Sequence, residues 1–539
     1  MIKNSTVALP SVNIARSKFK LQFQHKTTFN LGELVPVARF EVLPGSTWQV
    51  DLASFVRSVG QPITALMDNL CCDVFAFFVP HRLAFKDYPK VHGENDTNAW
   101  VASEVDIPYW SPGVASNIGP SSLGSYLGMP VGNYGIKQNN VSIYDSNRIS
   151  VLPGREYGLI WNEFFRSENL QNPLLIYNNS TNQVGDSYSY HSNLLKVNKY
   201  HDLFTDCLPQ PQKGGDVLLP LGSVAPVYSK ALNSGTIIDG SPILNSVGRD
   251  VSVGDPIDLK VANSDNGYIN FDFYADLASA TAASINNLRY AFQVQKLLEK
   301  DALYGTRYTE MLAAHFGVTN PDSRLQRPEL LAKESFYLNV EEVLQTTGFA
   351  TSDETSLGSR GGNLKKFSNN SLFTKSFTEF GSLFILACVR QDQSYSQGLS
   401  KQMRILKRLD NYYPVFANIG NVSVLNSEIY LDFTGGVASK NNDVFGYQEA
   451  WYQYRDFPNL ITGLLNPSAS EALDFWTLAN KFDSLPTLSG SFIQEDRTNF
   501  ARCFSTGLNG PDFVADFLVS GSHVEPMPVH SIPGLIDHH

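Results

Sequence analysis

The spacing of hydrophobic and polar residues changes along this chain, and each change marks an element. Near the start the pattern alternates: Lys18, Lys20 and, less regularly, Lys26 interleave with Phe19, Leu21 and Phe23. In an extended segment that spacing gives one basic edge and one apolar edge. Strand-like segments follow at Thr27–Val42, Thr47–Phe55 and Cys72–Val79, separated by Pro44-Gly45 and Gly60-Gln61-Pro62. Turn residues at such short intervals predict antiparallel β structure. Further strands are expected at Phe373–Val389 and Val422–Phe433.

Helical periodicity is confined to islands. A helix-like stretch covers Glu156–Glu168, and the clearest helix is Leu277–Tyr304. There Ile285, Leu288, Ala291, Phe292 and Leu298 share one arc, with Asn286, Arg289, Gln293, Lys296 and Lys300 opposite. Asp276 or Ser279 can cap its start and Gly305 its end. Shorter helices are predicted at Thr306–His315, stopped by Gly317, and at Ser468–Phe482, opened by Pro467. Between Pro80 and Ala275 the pattern loosens into Gly, Asn, Ser, Pro and Tyr. Within it, Gly222–Tyr274 reads as an exposed excursion with short strands. Its only basic residues are Lys230, Arg249 and Lys260, too few for a nucleic-acid surface. A β-rich core interrupted by connections this long is unusual for an enzyme domain.

Composition sharpens this picture. The 34 Phe, 24 Tyr and 28 Pro among 539 residues favour strands and rigid loops. Only 17% of residues are charged, against roughly a quarter in an ordinary soluble protein. Either much of the surface is buried against other copies, or Asn, Ser and Thr supply the polarity around a large core. The net charge of −11 argues against binding nucleic acid over the whole surface, but leaves room for a local basic patch. The cysteines (Cys71, Cys72, Cys207, Cys388 and Cys503) are odd in number and lack metal-ligand spacing, which fits free thiols in a reducing cytoplasm. The N-terminal residues have no signal-peptide core, and the longest apolar runs, Val74–Val79 and Leu383–Val389, are strand-sized. No export signal and no membrane insertion are expected.

Catalytic motifs are missing from the sequence. It contains no GxSxG elbow, no HExxH and no DxDxDG loop, so no metal or cofactor is implied. Gly358-Ser359-Arg360-Gly361-Gly362 lacks the GK[ST] ending of a phosphate loop and reads as a flexible loop. Glu449, Glu471 and Asp474 could be imagined as a glycosidase pair, but nothing fixes their separation. Phe75-Ala76-Phe77-Phe78 and Trp451-Tyr452-Gln453-Tyr454 fit core or intersubunit packing better than ligand stacking.

Two basic clusters remain. Arg16, Lys18, Lys20, His25 and Lys26 could neutralise phosphate, with Phe19 or Phe23 stacking on bases, or could dock on a neighbouring subunit with their charges paired. Lys401, Arg404 and Arg408, with Lys407 and Arg390 near in sequence, would share a face if the segment were helical. A basic lining facing DNA and intersubunit ion pairs are equally open there.

Several longer stretches resemble a known family. They include KTTFNLGELVPVARFEVLPGSTW (Lys26–Trp48), MDNLCCDVFAFFVPHRL (Met67–Leu83), WNEFFRSENLQNP (Trp161–Pro173) and the helical run Ile285–Val318. SFTEFGSLFILACVRQDQSYSQGL (Ser376–Leu399), VFGYQEAWYQYRDFPNLITGLL (Val444–Leu465), FDSLPTLSGSFI (Phe482–Ile493) and Val524–His539 continue it in order. Together they resemble the major capsid proteins of the gokushovirus branch of the Microviridae. Phe380 and Gln391 depart from the family pattern, which more often has His and Ala at these places.

The resemblance implies an all-β core: an eight-stranded antiparallel jelly-roll β-barrel with long loop insertions and a few helices. It implies one capsid domain over residues 1–539, with an N-terminal arm at 1–26, a variable insertion at 222–274 and a helical insertion at 277–317. Copies would form a T=1 icosahedral shell around circular single-stranded DNA, made and assembled in the bacterial cytoplasm. Partners would be the chain itself, an internal scaffolding protein, a small basic DNA-binding protein, a DNA pilot protein and a host receptor. Candidates to face DNA are Arg16, Lys18, Lys20, Lys26, Lys401, Arg404 and Arg408. The variable insertion would form threefold protrusions, making Ser234, Gly235, Asp239, Asn245, Asp250, Asn263 and Asn266 candidates for host attachment. A carbohydrate-active enzyme or lectin would instead need a cleft with carboxylates at a set distance. An attachment spike would show fibrous repeats, and the chain has none at a fixed period.

Overall fold

The structure, a computed structural model, describes residues 14–95, 105–110, 117–134, 148–179, 189–215, 217, 227–231, 271–275, 285–344, 360–433 and 440–530. Two compact units are present: residues 1–211 together with 304–539, and residues 212–303.

Eight long strands of the first unit form a single antiparallel sheet: β1 (Ser17–Phe29), β2 (Val35–Val42), β3 (Thr47–Ser58), β4 (Leu70–Pro80), β5 (Glu329–Leu344), β6 (Arg360–Ser376), β7 (Gly381–Gln391) and β8 (Phe513–Glu525). Their spatial order is β1-β8-β3-β6-β5-β4-β7-β2. The pairing of β6 with β5 joins two four-stranded halves, β1-β8-β3-β6 and β5-β4-β7-β2. The free edges β1 and β2 meet through side chains: His25 Nδ1 lies 2.8 Å from the Val37 carbonyl, and the Phe23 and Phe40 rings pack edge to face at 5.6 Å. The result is the expected jelly-roll barrel, nearly closed, with the seam between β1 and β2 bridged by these contacts and not by a backbone ladder.

The two halves differ in what covers them. Strands β1 and β3 alternate, with Leu21, Phe29, Val50, Leu52 and Val56 buried between exposed neighbours, as a half-solvated strand requires. Strand β4 is buried at every position. Phe75 and Phe77 on one of its faces meet Phe165 and Phe164 at 5.1 and 4.8 Å, while Val74, Ala76 and Phe78 point the other way. The covering element is helix α1 (Leu152–Ile160) and the π-helical turn that continues it, Trp161–Phe165. Burial on both faces explains why β4 and β7 read as continuous apolar runs.

Several expected boundaries shift. Thr27–Val42 is two strands, broken at Gly32, whose φ of 74° makes the turn. Phe373–Val389 is likewise split, between the end of β6 and the start of β7. Val422–Phe433 is a short strand, Asn421–Leu425, running into a single helical turn at Asn426–Ile429. Ser468–Phe482 is not a helix and holds only a 3-10 turn at Asp474–Trp476. There Asn466 Oδ1 takes the Ser468 N–H, the Leu473 N–H turns back to the Leu464 carbonyl, and Glu471 sits at φ 59°, so local side-chain and backbone bonds displace the helical ladder. The glycine cluster is not simply a loop, since Arg360, Gly361 and Gly362 pair with Leu344, Val343 and Glu342.

Helix α2 (Ile285–Tyr304) covers the described part of the long predicted helix, whose expected first turns lie outside the described residues. Phe292 on its apolar arc is exposed rather than buried. Helix α3 (Tyr308–Phe316) ends at Gly317 with φ 67°, the predicted stop. The second unit holds a hairpin, Val227–Ala231 with Phe271–Ala275, and most of α2.

Candidate functional site

The alternation of the first basic cluster is carried into the structure. Lys18, Lys20 and Lys26 stand exposed on β1, and Arg16 precedes it, also exposed. Phe19 and Phe23 point to the opposite side from the lysines, Phe19 half-buried and Phe23 exposed. Phe19 lies against His523 with ring centroids 5.5 Å apart, His523 stacks on Trp48 at 4.6 Å, and Phe23 meets Phe40. The basic edge therefore lies along the open outer face of β1-β8-β3-β6, and the aromatic edge fills the barrel end.

The second cluster does not form one helix face. Lys401–Arg404 and Arg408–Asp410 are separate 3-10 turns, because Asp410 accepts the Leu406 and Lys407 N–H groups and forces the chain to turn between them. Arg404 donates to Ser427 Oγ at 2.7 Å, Lys401 lies over the Tyr452 ring at 4.2 Å, and Arg408 lies 5.9 Å from the Tyr413 ring centroid. Arg390 is elsewhere, partly buried against Asp73 and stacked 4.0 Å above Tyr200. Lys401 and Arg404 line one wall of a cavity of about 360 Å³, with Glu428 and Trp451 among its other walls.

Sequence reasoning missed what surrounds these turns. Met403, Leu406, Leu409 and Val415 expose 75%, 86%, 70% and 91% of their surface, and Tyr412 and Ile419 are exposed beside them. The run is legible in the sequence as apolar residues without a regular period, which the search for periodic faces passes over. The protrusion candidates Ser234, Gly235, Asp239, Asn245, Asp250, Asn263 and Asn266 lie outside the described residues.

The chemistry of the remaining candidates is structural. All five cysteines are buried free thiols, and burial pushes Cys388 and Cys503 up to about 12, so neither is a ready nucleophile. Glu449 is paired with Arg455 and Asp474 with Arg502. Phe75, Phe77 and Phe78 are core residues, as is Tyr452, whose hydroxyl donates to Glu428 at 2.6 Å. Among the described residues no group of three or more His, Cys, Asp or Glu could hold a metal, and no helix is long and apolar enough to cross a membrane.

A barrel with an open sheet face and a large exposed apolar run suits a protein that works through surfaces. Residues 7–535 match the family described as capsid protein (F protein). The chain belongs to that family. It is 34% identical to capsid protein VP1 of Bdellovibrio phage phiMH2K, over 98% of this chain and 97% of that one. It is equally similar to capsid protein VP1 of Spiroplasma virus 4 (97% and 96% covered) and of Chlamydia phage 1 (99% and 98% covered). Membership in the gokushovirus group of Microviridae capsid proteins follows, and with it a structural rather than an enzymatic role in the virion capsid.

Proposed function

We propose that this capsid protein closes into a T=1 shell around circular single-stranded DNA, assembling in the bacterial cytoplasm with the phage's scaffolding, small basic and DNA pilot proteins. The observation that supports self-association is the exposed apolar run from Met403 to Ile419. Exposed apolar surface of this kind marks a contact, and a shell subunit needs several heterologous contacts that symmetry closes. In this reading the whole chain acts as one capsid domain. Residues 277–317 are a helical insertion, 1–26 an inner arm whose second part enters the barrel as strand β1, and 222–274 a threefold protrusion that meets the host receptor.

Two variants test the two parts. Leu406→Asp with Val415→Asp should leave the circular dichroism of the subunit unchanged and abolish particles in negative stain. Normal particles from that variant would contradict a subunit contact there. Replacing residues 232–270 by a short Gly-Ser linker should preserve particles and abolish adsorption to host cells. Unchanged adsorption would remove this segment from host attachment.

A further inference from the structure

No described element covers the outer face of β1-β8-β3-β6, whereas β4 and β7 of the other half are buried on both sides, and the register shows what the open face presents. Lys26 stands opposite Asp516, Asp516 opposite Phe55, and Phe55 opposite Phe367, so one row across four strands runs from a lysine to two phenylalanines. Phe55 and Phe367 expose 38% and 62% of their surface. The next row holds Val514, Arg57, Lys365 and Asn339. Tyr337, two residues beyond Asn339 on the same strand face, is 57% exposed. Towards the other end of the strands the rows are Gln24, Leu518, Ala53 and Asn369, then Gln22, Ser520, Asp51 and Ser371, then Lys20, Ser522, Gln49 and Thr374.

We propose that this face is a binding site for single-stranded nucleic acid, with Phe55 and Phe367 as the platform on which bases stack and Lys26, Arg57 and Lys365 as the flanking phosphate contacts. The inference rests on the reading of the chain as a DNA-enclosing shell and adds the residues that touch the strand. Stacking on exposed aromatic side chains beside a cationic track is how sequence-tolerant single-strand binders work. The face bears five cations (Lys18, Lys20, Lys26, Arg57, Lys365) against three carboxylates (Asp51, Asp516, Glu341), an excess of two on a chain whose net charge is −11. Lys365 is paired with Glu341 at 2.9 Å and Asp516 accepts the Gln24 amide, whereas Lys18, Lys20, Lys26 and Arg57 have no carboxylate partner among the described residues. The Ser, Thr, Asn and Gln rows offer hydroxyl and amide groups for sugar and phosphate. A second copy of the chain fits this surface less well. The centre of a protein–protein contact is depleted in lysine, and here Lys18, Lys20 and Lys26 stand exposed along one strand.

Ultraviolet cross-linking of DNA-filled particles, followed by mass spectrometry, should place nucleotide adducts on the peptides holding Phe55 and Phe367. Adducts confined to other peptides, or cross-links from these two only to protein, would overturn the proposal. Separately, the purified subunit should bind oligo-dT, and Phe55→Ala with Phe367→Ala should weaken binding at fixed salt by about tenfold or more, with Phe367→Trp restoring it. Lys26→Gln with Arg57→Gln should flatten the dependence of log affinity on log salt by roughly 0.7 per lost cation. Affinity equal to the parent in the double alanine variant would count against the site. Because the oligonucleotide assay needs no shell, absence of particles would sink the shell reading without deciding this one. If the double variant fails to fold, the cross-linking of the unaltered protein decides.

Discussion

His81 and Glu156 form a buried contact at the foot of the barrel: the imidazole Nδ1 lies 2.7 Å from the carboxylate, with side-chain exposures of 4% and 0%. The other ring nitrogen meets Glu41 at 2.7 Å, and Arg39 reaches both glutamates. The cluster ties β2, the end of β4 and helix α1 together, which is how the covering insertion is fixed to the sheet.

This contact makes stability depend on alkaline pH. Burial by itself would lower the histidine's pKa, but the hydrogen bonds to Glu156 and Glu41 outweigh it and raise it from 6.5 to about 9. A group with a raised folded pKa contributes its full stabilisation below the unfolded value and loses it as pH rises through the folded one. A shift of this size corresponds to about 3 kcal/mol. Urea unfolding of the subunit should therefore weaken between pH 6.5 and about 9, and His81→Gln should remove most of that slope. A variant with the parent's slope would show that the titration lies elsewhere.

Glu495 gives a slope of the same sign at lower pH. It is fully buried, and burial raises it from 4.5 to about 7 despite Lys199, the Gln391 N–H and Gln393 nearby. The folded state then holds a proton that the unfolded chain has released, so stability declines as pH rises from 4.5 to 7 and is level above. Glu495→Gln keeps an acceptor for the Gln391 N–H and should stabilise the subunit at pH 8 by about 2–3 kcal/mol with little effect at pH 4.5. Equal thermal midpoints for parent and variant at pH 8 would contradict this.

Arg390 is held rather than offered. Its guanidinium donates to Asp73 at 3.0 Å through Nε and lies over Tyr200, whose hydroxyl donates to the same carboxylate at 2.8 Å. Asp73 is 1% exposed, and although burial would raise its pKa, Arg390 and Ser335 bring it below the ordinary value. Asp73→Asn leaves a buried unpaired cation and should cost about 3–5 kcal/mol in urea unfolding. A cost under about 1 kcal/mol would mean that water replaces the pair.

The sequence disclosed most where a strand faces two environments. The lysine and phenylalanine alternation on β1 and the unbroken apolar run of β4 each state how that strand is covered. Strands β5 and β8, and β6 before Phe373, are not legible in the sequence, because runs such as Ser368-Asn369-Asn370-Ser371 look like loop and are held in place by long-range pairing with β3. The open face was legible only in part for the same reason: Lys26 is separated from Phe55 and Phe367 by long stretches of chain, and only the register makes them one row. The helix proposed at Ser468–Phe482 failed where Asn466 and Glu471 gave the backbone other partners.

The central claim is that this chain builds a closed shell. Co-expression with the phage scaffolding protein, followed by light scattering and electron microscopy of the purified product, tests it most directly. Hollow or DNA-filled particles of one uniform diameter with T=1 symmetry are the expected product. A subunit that stays monomeric, or that forms only open sheets and irregular aggregates with the scaffolding protein present, would contradict it.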